Sequence, residues 1–172
     1  MNTQYDKTIP ERVGNYLAGF ADGEGSFNVS LTKRSDYSSG NGYKLTLSFN
    51  VSQKDRTVLA LFKRYLKCGR LQTRKDGVTY YKVENPKALK ENVIPFFKKF
   101  SFLSQQKINN FSIFIKIVDL VYTKQHLTKE GFKEVVLLRE QLNKGKGRKR
   151  KFSFDDVYPE ESSTTTRQTS VI

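Results

Sequence analysis

Between Leu17 and Phe27 the apolar period of the chain changes from helical to strand-like with no loop in between. Val13, Leu17 and Phe20 recur at i, i+4 and i+7, which predicts a helix over residues 11–22. Phe27, Val29 and Leu31 then alternate with Asn28, Ser30 and Thr32, which predicts a strand with one buried and one polar face. The junction reads Asp22-Gly23-Glu24-Gly25, and its two glycines are expected to stop the helix. Glu24 is thus a charged group at the joint of two elements. A carboxylate in such a place suits a hard divalent cation, although an acid between glycines is by itself more often a solvated turn residue.

The helix-strand-strand pattern then repeats. After a loop over 35–42, Leu45, Leu47, Phe49 and Val51 alternate with Lys44, Thr46, Ser48 and Asn50, as an antiparallel partner of the first strand would. A second helix fits residues 55–67, with Val58, Leu59, Leu61, Phe62, Tyr65 and Leu66 on one broad face, ended by Cys68-Gly69. The runs 70–75 and 78–83 form a second hairpin about Asp76-Gly77, a strong two-residue turn signal. Pro86 opens a helix to about Phe100, a longer one follows through Ile108, Phe111, Ile115, Val118 and Val121, and a last one covers 129–142. The order α-β-β-α-β-β-α with extra C-terminal helices places the chain in the α+β class, with antiparallel strands.

Charge narrows the partner. Thirty-one Lys and Arg against 17 Asp and Glu give a net charge of +14 and a pI near 9.8, the footprint of a polyanion binder. The 172 residues suit one domain, here 11–142, preceded by an arm over 1–10. Residues 143–172, basic from Lys144 to Lys151 and then acidic and Ser/Thr-rich, read as a disordered tail. The tail after Lys151 holds Arg167 against Asp155, Asp156, Glu160 and Glu161, so the body is basic in its own right. No run of 18 apolar residues occurs and Met1 to Arg12 is not a signal peptide, so an intracellular protein with no membrane partner is expected. One cysteine, Cys68, and one histidine, His126, exclude an internal disulfide or Cys/His zinc site. Any metal is therefore held by oxygen, which favours Mg²⁺ or a similar ion such as Mn²⁺.

The polar strand positions form one set of hydrogen-bonding types: Asn28, Ser30, Thr32 and Arg34; Lys44, Thr46, Ser48 and Asn50; Arg70, Gln72 and Arg74; Tyr80 and Lys82. Any half-exposed strand has a polar outer face. This one carries five basic groups and almost no acids, whereas a merely solvated sheet mixes signs. A twisted antiparallel sheet of this size can lie in a DNA major groove, where Arg reads guanine and Asn or Gln reads adenine. On the first helix Gly14, Ala18 and Ala21 form a stripe of small residues, and glycine in a helix asks for a packing reason. The stripe is expected to seat the same helix of a second subunit, bringing two copies of Glu24 to a two-fold axis where cations would bridge them.

Leu17-Ala18-Gly19-Phe20-Ala21-Asp22-Gly23-Glu24-Gly25, followed by strand alternation, closely resembles the signature of the LAGLIDADG homing endonucleases. The likeness extends over residues 11–142 and is greatest to the single-motif, homodimeric branch, since the motif occurs once. The resemblance implies an αββαββα fold with a saddle-shaped sheet, and metal-dependent hydrolysis of both strands of a near-palindromic DNA site. It implies Glu24 as catalytic carboxylate and metal ligand, with the Gly23 carbonyl as a second ligand. Gln53 would stand near the scissile phosphate, Lys54 or Arg56 would add positive charge, and Lys107 would complete the pocket. Asp22 would be structural. The family also implies intron homing, an organelle as the compartment, and, as the alternative, an RNA-binding maturase acting on intron RNA.

Overall fold

A computed structural model of the chain describes residues 9–36, 42–144 and 150–159. The arm over 1–8, the loop tip 37–41, residues 145–149 of the basic run and the Ser/Thr-rich end 160–172 lie outside the described residues. The elements are α1 (Glu11–Glu24), β1 (Gly25–Lys33), β2 (Tyr43–Gln53), α2 (Arg56–Leu66), β3 (Arg70–Thr73) and β4 (Thr79–Val83). They continue with α3 (Pro86–Ala88), a π-helical turn (Leu89–Val93), α4 (Ile94–Lys99), α5 (Gln105–Tyr122), a 3₁₀ turn (Gln125–Leu127), α6 (Lys129–Gln141) and α7 (Phe154–Val157). The π turn directly precedes Pro95, which has no N–H to give the carbonyl four residues back, and one widened turn absorbs the mismatch. The four strands form one antiparallel sheet in the order β1-β2-β4-β3. This is the αββαββα, α+β architecture expected from the sequence.

Local chemistry sets the ends. Asp55 caps α2 by accepting from the Thr57 N–H at 2.8 Å, and Lys67 closes it in the left-handed conformation, φ 52°. The Asp76-Gly77 turn closes β3–β4 with Gly77 at φ 81°. One expectation fails here: α1 does not stop at Ala21–Asp22 but runs through Gly23 to Glu24. Gly23 stands in open space and accepts helical dihedrals, whereas at Gly25 a Cβ would strike the Ala21 carbonyl oxygen at 2.5 Å. Glu24 therefore belongs to the last turn of the helix, and the strand begins on the next residue.

One face of the sheet is covered by helices. Its centre is Phe27, 1% exposed, whose ring lies 4.9–6.1 Å from those of Phe49, Phe97, Phe102, Phe111 and Phe114. A smaller cluster, Leu31, Tyr43, Phe132, Val136 and Val157, backs the far end of the β1–β2 pair. Val157 belongs to the segment read as tail, so residues 150–159 differ from expectation: they carry a helical turn and pack on the body. Phe152, Phe154, Val157 and Tyr158 supply the apolar surface that a polar composition average conceals.

β1 is an edge strand, and its outward carbonyls are occupied by side chains from the helical third. Lys107 Nζ donates to the Gly25 carbonyl, Asn143 Nδ2 to that of Phe27 at 2.8 Å, and Arg139 Nε to that of Val29 at 3.0 Å. This closes the edge to further strand pairing and anchors α5 and α6 to the sheet.

Candidate functional site

The junction of α1 and β1 gathers three charged groups. Glu24 is exposed and has no hydrogen bond or ion pair among the described residues. It stands at the negative end of α1, whose last turn contains no basic residue and whose Ala21 carbonyl accepts the Gly25 N–H. Asp22, two residues earlier and partly buried, is engaged. Its Oδ2 accepts from the N–H groups of Leu103 at 3.0 Å and Ser104 at 2.9 Å, and its Oδ1 from the Ser104 hydroxyl. Asp22 thereby serves the unpaired N–H groups at the start of α5. Burial pushes its carboxyl up, but the Ser104 and Leu103 hydrogen bonds and the Lys107 charge outweigh this and hold it below the usual carboxylate range.

Lys107 comes from the first turns of α5. Its ammonium is tied to the Gly25 carbonyl and lies in the field of both Asp22 and Glu24. Burial lowers its pKa below that of a free lysine, and the two carboxylates only partly oppose the shift. The tertiary contact through Asp22 and Ser104 sets the register of α5 that the sequence leaves undetermined, and that register brings Lys107 to the joint.

Gln53 closes β2. The β1–β2 register ends with Gly25 opposite Val51, and Gln53, two residues further along β2, pairs with Thr79 of β4. Its parity is that of Phe49 and Val51, which turns it toward the helical side, and its Oε1 accepts from the Lys54 N–H at 2.8 Å. Lys54 is exposed beside the Asp55 cap. Among the described residues no cluster of three or more His, Cys, Asp or Glu could hold a metal. One chain thus offers a single uncommitted carboxylate and nearby helix-end carbonyls, a donor set that fits a hard cation only when further ligands complete it.

The strand positions singled out in the sequence do share one face, and the pairing arranges them in rows: Thr32–Lys44, Ser30–Thr46, Asn28–Ser48, Asn50–Lys82–Arg70, and Tyr80–Gln72. Two further residues belong to the rows, Ser26 opposite Asn50 and Ser52 opposite Tyr80. Strand parity alone was enough to find both. Ser48, 7% exposed, is the one member with little surface of its own.

Two expectations are corrected. Arg34 and Arg74 lie just past the ends of β1 and β3, and the face has acids beside its bases. Arg34 pairs with Asp36 at 2.6 Å, Arg74 with Asp76 at 3.2 Å while donating to the Tyr80 hydroxyl at 2.6 Å, and Glu84 bridges Arg70 at 2.5 Å and Lys82 at 2.7 Å. The Arg34 guanidinium holds Asp36 down to about 2, and Glu84 is likewise lowered, chiefly by Lys82. Glu84 directly follows β4, and Asp36 and Asp76 lie in the turns after β1 and β3, where they look like turn residues in the sequence. Exposed pairs of this kind contribute little to stability, so a phosphate can replace the carboxylate at little cost.

The small-residue stripe of α1 is the other correction. Gly14, Ala18 and Ala21 are buried against the chain's own core, and a Cβ at Gly14 would fall 2.3 Å from the Phe100 ring. The outward stripe is Arg12, Tyr16, Gly19 and Gly23, with Tyr16 54% exposed and nothing within 4 Å of a Cβ at either glycine. His126 and Cys68 lie apart from the joint, half-buried in the 3₁₀ turn and after α2.

Known proteins share this fold. The family described as LAGLIDADG endonuclease matches residues 17–118. Probable intron-encoded endonuclease 2 of Neurospora crassa is 31% identical over 147 residues, covering 84% of this chain and 32% of that protein. The chain spans about a third or less of the first curated relatives it matches. The archaeal intron-encoded homing endonuclease I-Vdi141I, solved in complex with DNA, is 29% identical with a TM-score of 0.77, over 89% of this chain and 96% of that one. I-SmaMI bound to uncleaved DNA target in the presence of calcium ions is 28% identical with a TM-score of 0.73, over 86% and 49%. With the motif, the sheet and the joint all in place, this chain belongs to the LAGLIDADG endonuclease family.

Proposed function

We propose that the chain is a site-specific DNA endonuclease, intron-encoded and working in an organelle. It would act as a homodimer that hydrolyses both strands of a near-palindromic site with a divalent ion, Mg²⁺ or Mn²⁺. The observation that carries this reading is Glu24, a carboxylate with no hydrogen bond or ion pair among the described residues, held in the field of Lys107 at one end of a sheet face made of hydrogen-bonding and basic side chains. A pure binder gains nothing from an uncommitted carboxylate next to a polyanion. The relatives' names, intron-encoded and homing endonucleases, and the DNA in the I-Vdi141I structure support the same reading.

Two copies would pack through Tyr16, Gly19 and Gly23, where the glycines let helix backbones approach closely. The resulting pair would set two Glu24 carboxylates near one axis, and the Gly23 carbonyls beside them. A divalent ion held there by Glu24 and the Gly23 carbonyls would supply Lewis-acid activation of water and of the phosphate. Lys107, oriented by the Gly25 carbonyl, stabilises the charge that builds on the phosphate oxygens, with Lys54 as a second cation. Gln53, at the end of β2, would position water. Asn28, Ser30, Thr32, Lys44, Thr46, Ser48, Asn50, Arg70, Gln72, Tyr80 and Lys82 face the DNA, with Arg34 and Arg74 at the strand ends reaching phosphates.

The test is cleavage of a library of DNA sites with Mg²⁺ or Mn²⁺. Wild-type protein is expected to cut a selected site, and Glu24→Gln to bind it without cutting. Tight binding with no cleavage under any divalent ion overturns the proposal.

A further inference from the structure

Two hydrophobic clusters divide the support of the polar sheet face between them. The large one backs it from Phe27 to Val29 on β1 and from Leu47 to Val51 on β2. The small one backs the far end, through Leu31 and Tyr43, and Leu45 borders both. Because side chains alternate across a strand, the rows Thr32–Lys44 and Ser30–Thr46 stand over the small cluster, while Asn28–Ser48 and Asn50–Lys82–Arg70 stand over the large one.

The small cluster is completed from outside the αββαββα body. Residues 150–159 lie over α6 and the end of the β1–β2 pair, fastened by contacts that leave little freedom. Arg139 is 4% exposed, and it donates from Nε to the Val29 carbonyl at 3.0 Å and from Nη1 to that of Phe152 at 2.8 Å. Arg150 donates to the carbonyls of Arg139 at 2.6 Å and of Leu142. The Tyr43 hydroxyl donates to the Asp156 carbonyl at 3.2 Å, and the Phe152 ring meets the Tyr43 ring edge-on at 5.1 Å. A capping box between Ser153 and Asp156 stiffens the turn that carries Val157.

We propose that residues 150–159 are a positioning strap for the outer half of the β1–β2 pair, setting specificity at the base pairs farthest from Glu24 without taking part in bond cleavage. This rests on the reading that the polar face lies along DNA. From Gly25 to Thr32 the strand rises roughly 23 Å at about 3.3 Å per residue. With one phosphate of each strand per about 3.4 Å of helix axis, that places the outermost row roughly seven base pairs from the joint. A two-stranded pair has little stability of its own in water, so these rows keep their position only while something fills the space behind Leu31 and Tyr43. The strap does so with Phe152, Val157 and Tyr158.

The test uses the full chain with Val157→Asp, and with the milder Phe152→Ala should the first fail to fold. Amide hydrogen exchange without DNA is expected to speed at least tenfold at residues 29–33 and 43–46 and to stay unchanged at 56–66 and 79–83. On the selected target, single base-pair changes ordinarily cost roughly 5- to 150-fold. In the variants this discrimination is expected to fall below about threefold at the outer positions and to persist at the inner ones, with cutting of the intact site within about threefold of wild type. Unchanged exchange at the hairpin, exchange that rises everywhere, or an even loss of discrimination along the site overturns the strap. If the wild-type protein cuts no DNA, the endonuclease reading fails while the exchange measurement still decides on the strap.

Discussion

Gly14 and Gly19 lie in the same helix, yet replacing each with alanine should act in opposite directions. Either substitution removes the glycine penalty of roughly 0.5–1 kcal/mol in a helix interior. At Gly14 the new methyl would meet three Phe100 ring atoms at 2.3, 2.3 and 2.5 Å. That ring is 3% exposed, lies 5.2 Å from the Phe96 ring and has Lys99 Nζ 5.5 Å from its centre, so it cannot swing aside without opening a gap. Overpacking costs about 1–3 kcal/mol, and contacts this short put Gly14 in the upper part of that range, about 2–3 kcal/mol, leaving a net loss of about 1–2.5 kcal/mol after the helix gain. For a chain of this size the melting temperature should fall by roughly 2–10 °C. At Gly19 nothing lies within 4 Å, so the monomer should gain the helix preference and melt roughly 1–4 °C higher. If Gly19 lies under a second copy, the same methyl disturbs that contact and should weaken the dimer by roughly 5- to 150-fold, from about 1–3 kcal/mol of overpacking. Melting curves below and above the association constant, with sedimentation velocity, separate the two effects. A neutral or stabilising Gly14→Ala would refute the inward packing of the stripe, and an unchanged association constant for Gly19→Ala would refute the outward face as the dimer contact.

Other outcomes follow from the joint and the sheet. Lys107→Met should lower the cleavage rate by roughly 100-fold or more while binding changes far less, because it removes a donor aimed at developing charge; single-turnover cleavage and a binding assay check this. Glu84→Gln should free Arg70 and Lys82 for phosphates, tightening non-specific DNA binding and steepening its log–log salt dependence by roughly 1–2, read from a salt titration. Asp22→Ala should cost about 1–2 kcal/mol at neutral pH, through lost hydrogen bonds to a charged group. Since the folded carboxyl is held below its unfolded value near 3.8, this contribution is complete above about pH 4 and lost as pH falls through the folded value. Denaturation curves of the two proteins should therefore converge in acid.

Much of the fold could be read from periodicity because its elements are strongly patterned. The alternation of Phe27 to Leu31 and of Leu45 to Val51, and the Asp76-Gly77 turn, set strand faces that the structure keeps. The polar face was legible for the same reason, since a period of two places every second residue together whatever the fold. The stripe on α1 was not: Gly14, Ala18 and Ala21 are small whether they admit a partner helix or the chain's own Phe100, and only the position of α4 distinguishes the two. The strap was hidden because Phe152, Val157 and Tyr158 are spread among charges and match no period. Their apolar surface counts only once Leu31 and Tyr43 present a place for it.

The joint shows where local information ends. Which acid is committed and which is open, Asp22 or Glu24, depends on α5 arriving with its N–H groups at Asp22, a contact spanning some eighty residues. Lys107 reaches Gly25 by the same arrival. Sequence by itself determined the α+β order, the polar rows, the single motif and the basic charge, all of which follow from neighbours in the chain and from hydrophobic period. Tertiary structure alone decided which helix face points outward, which bases have acidic neighbours, and how the far end of the sheet is supported. Each of these is set by long-range packing that no local period encodes.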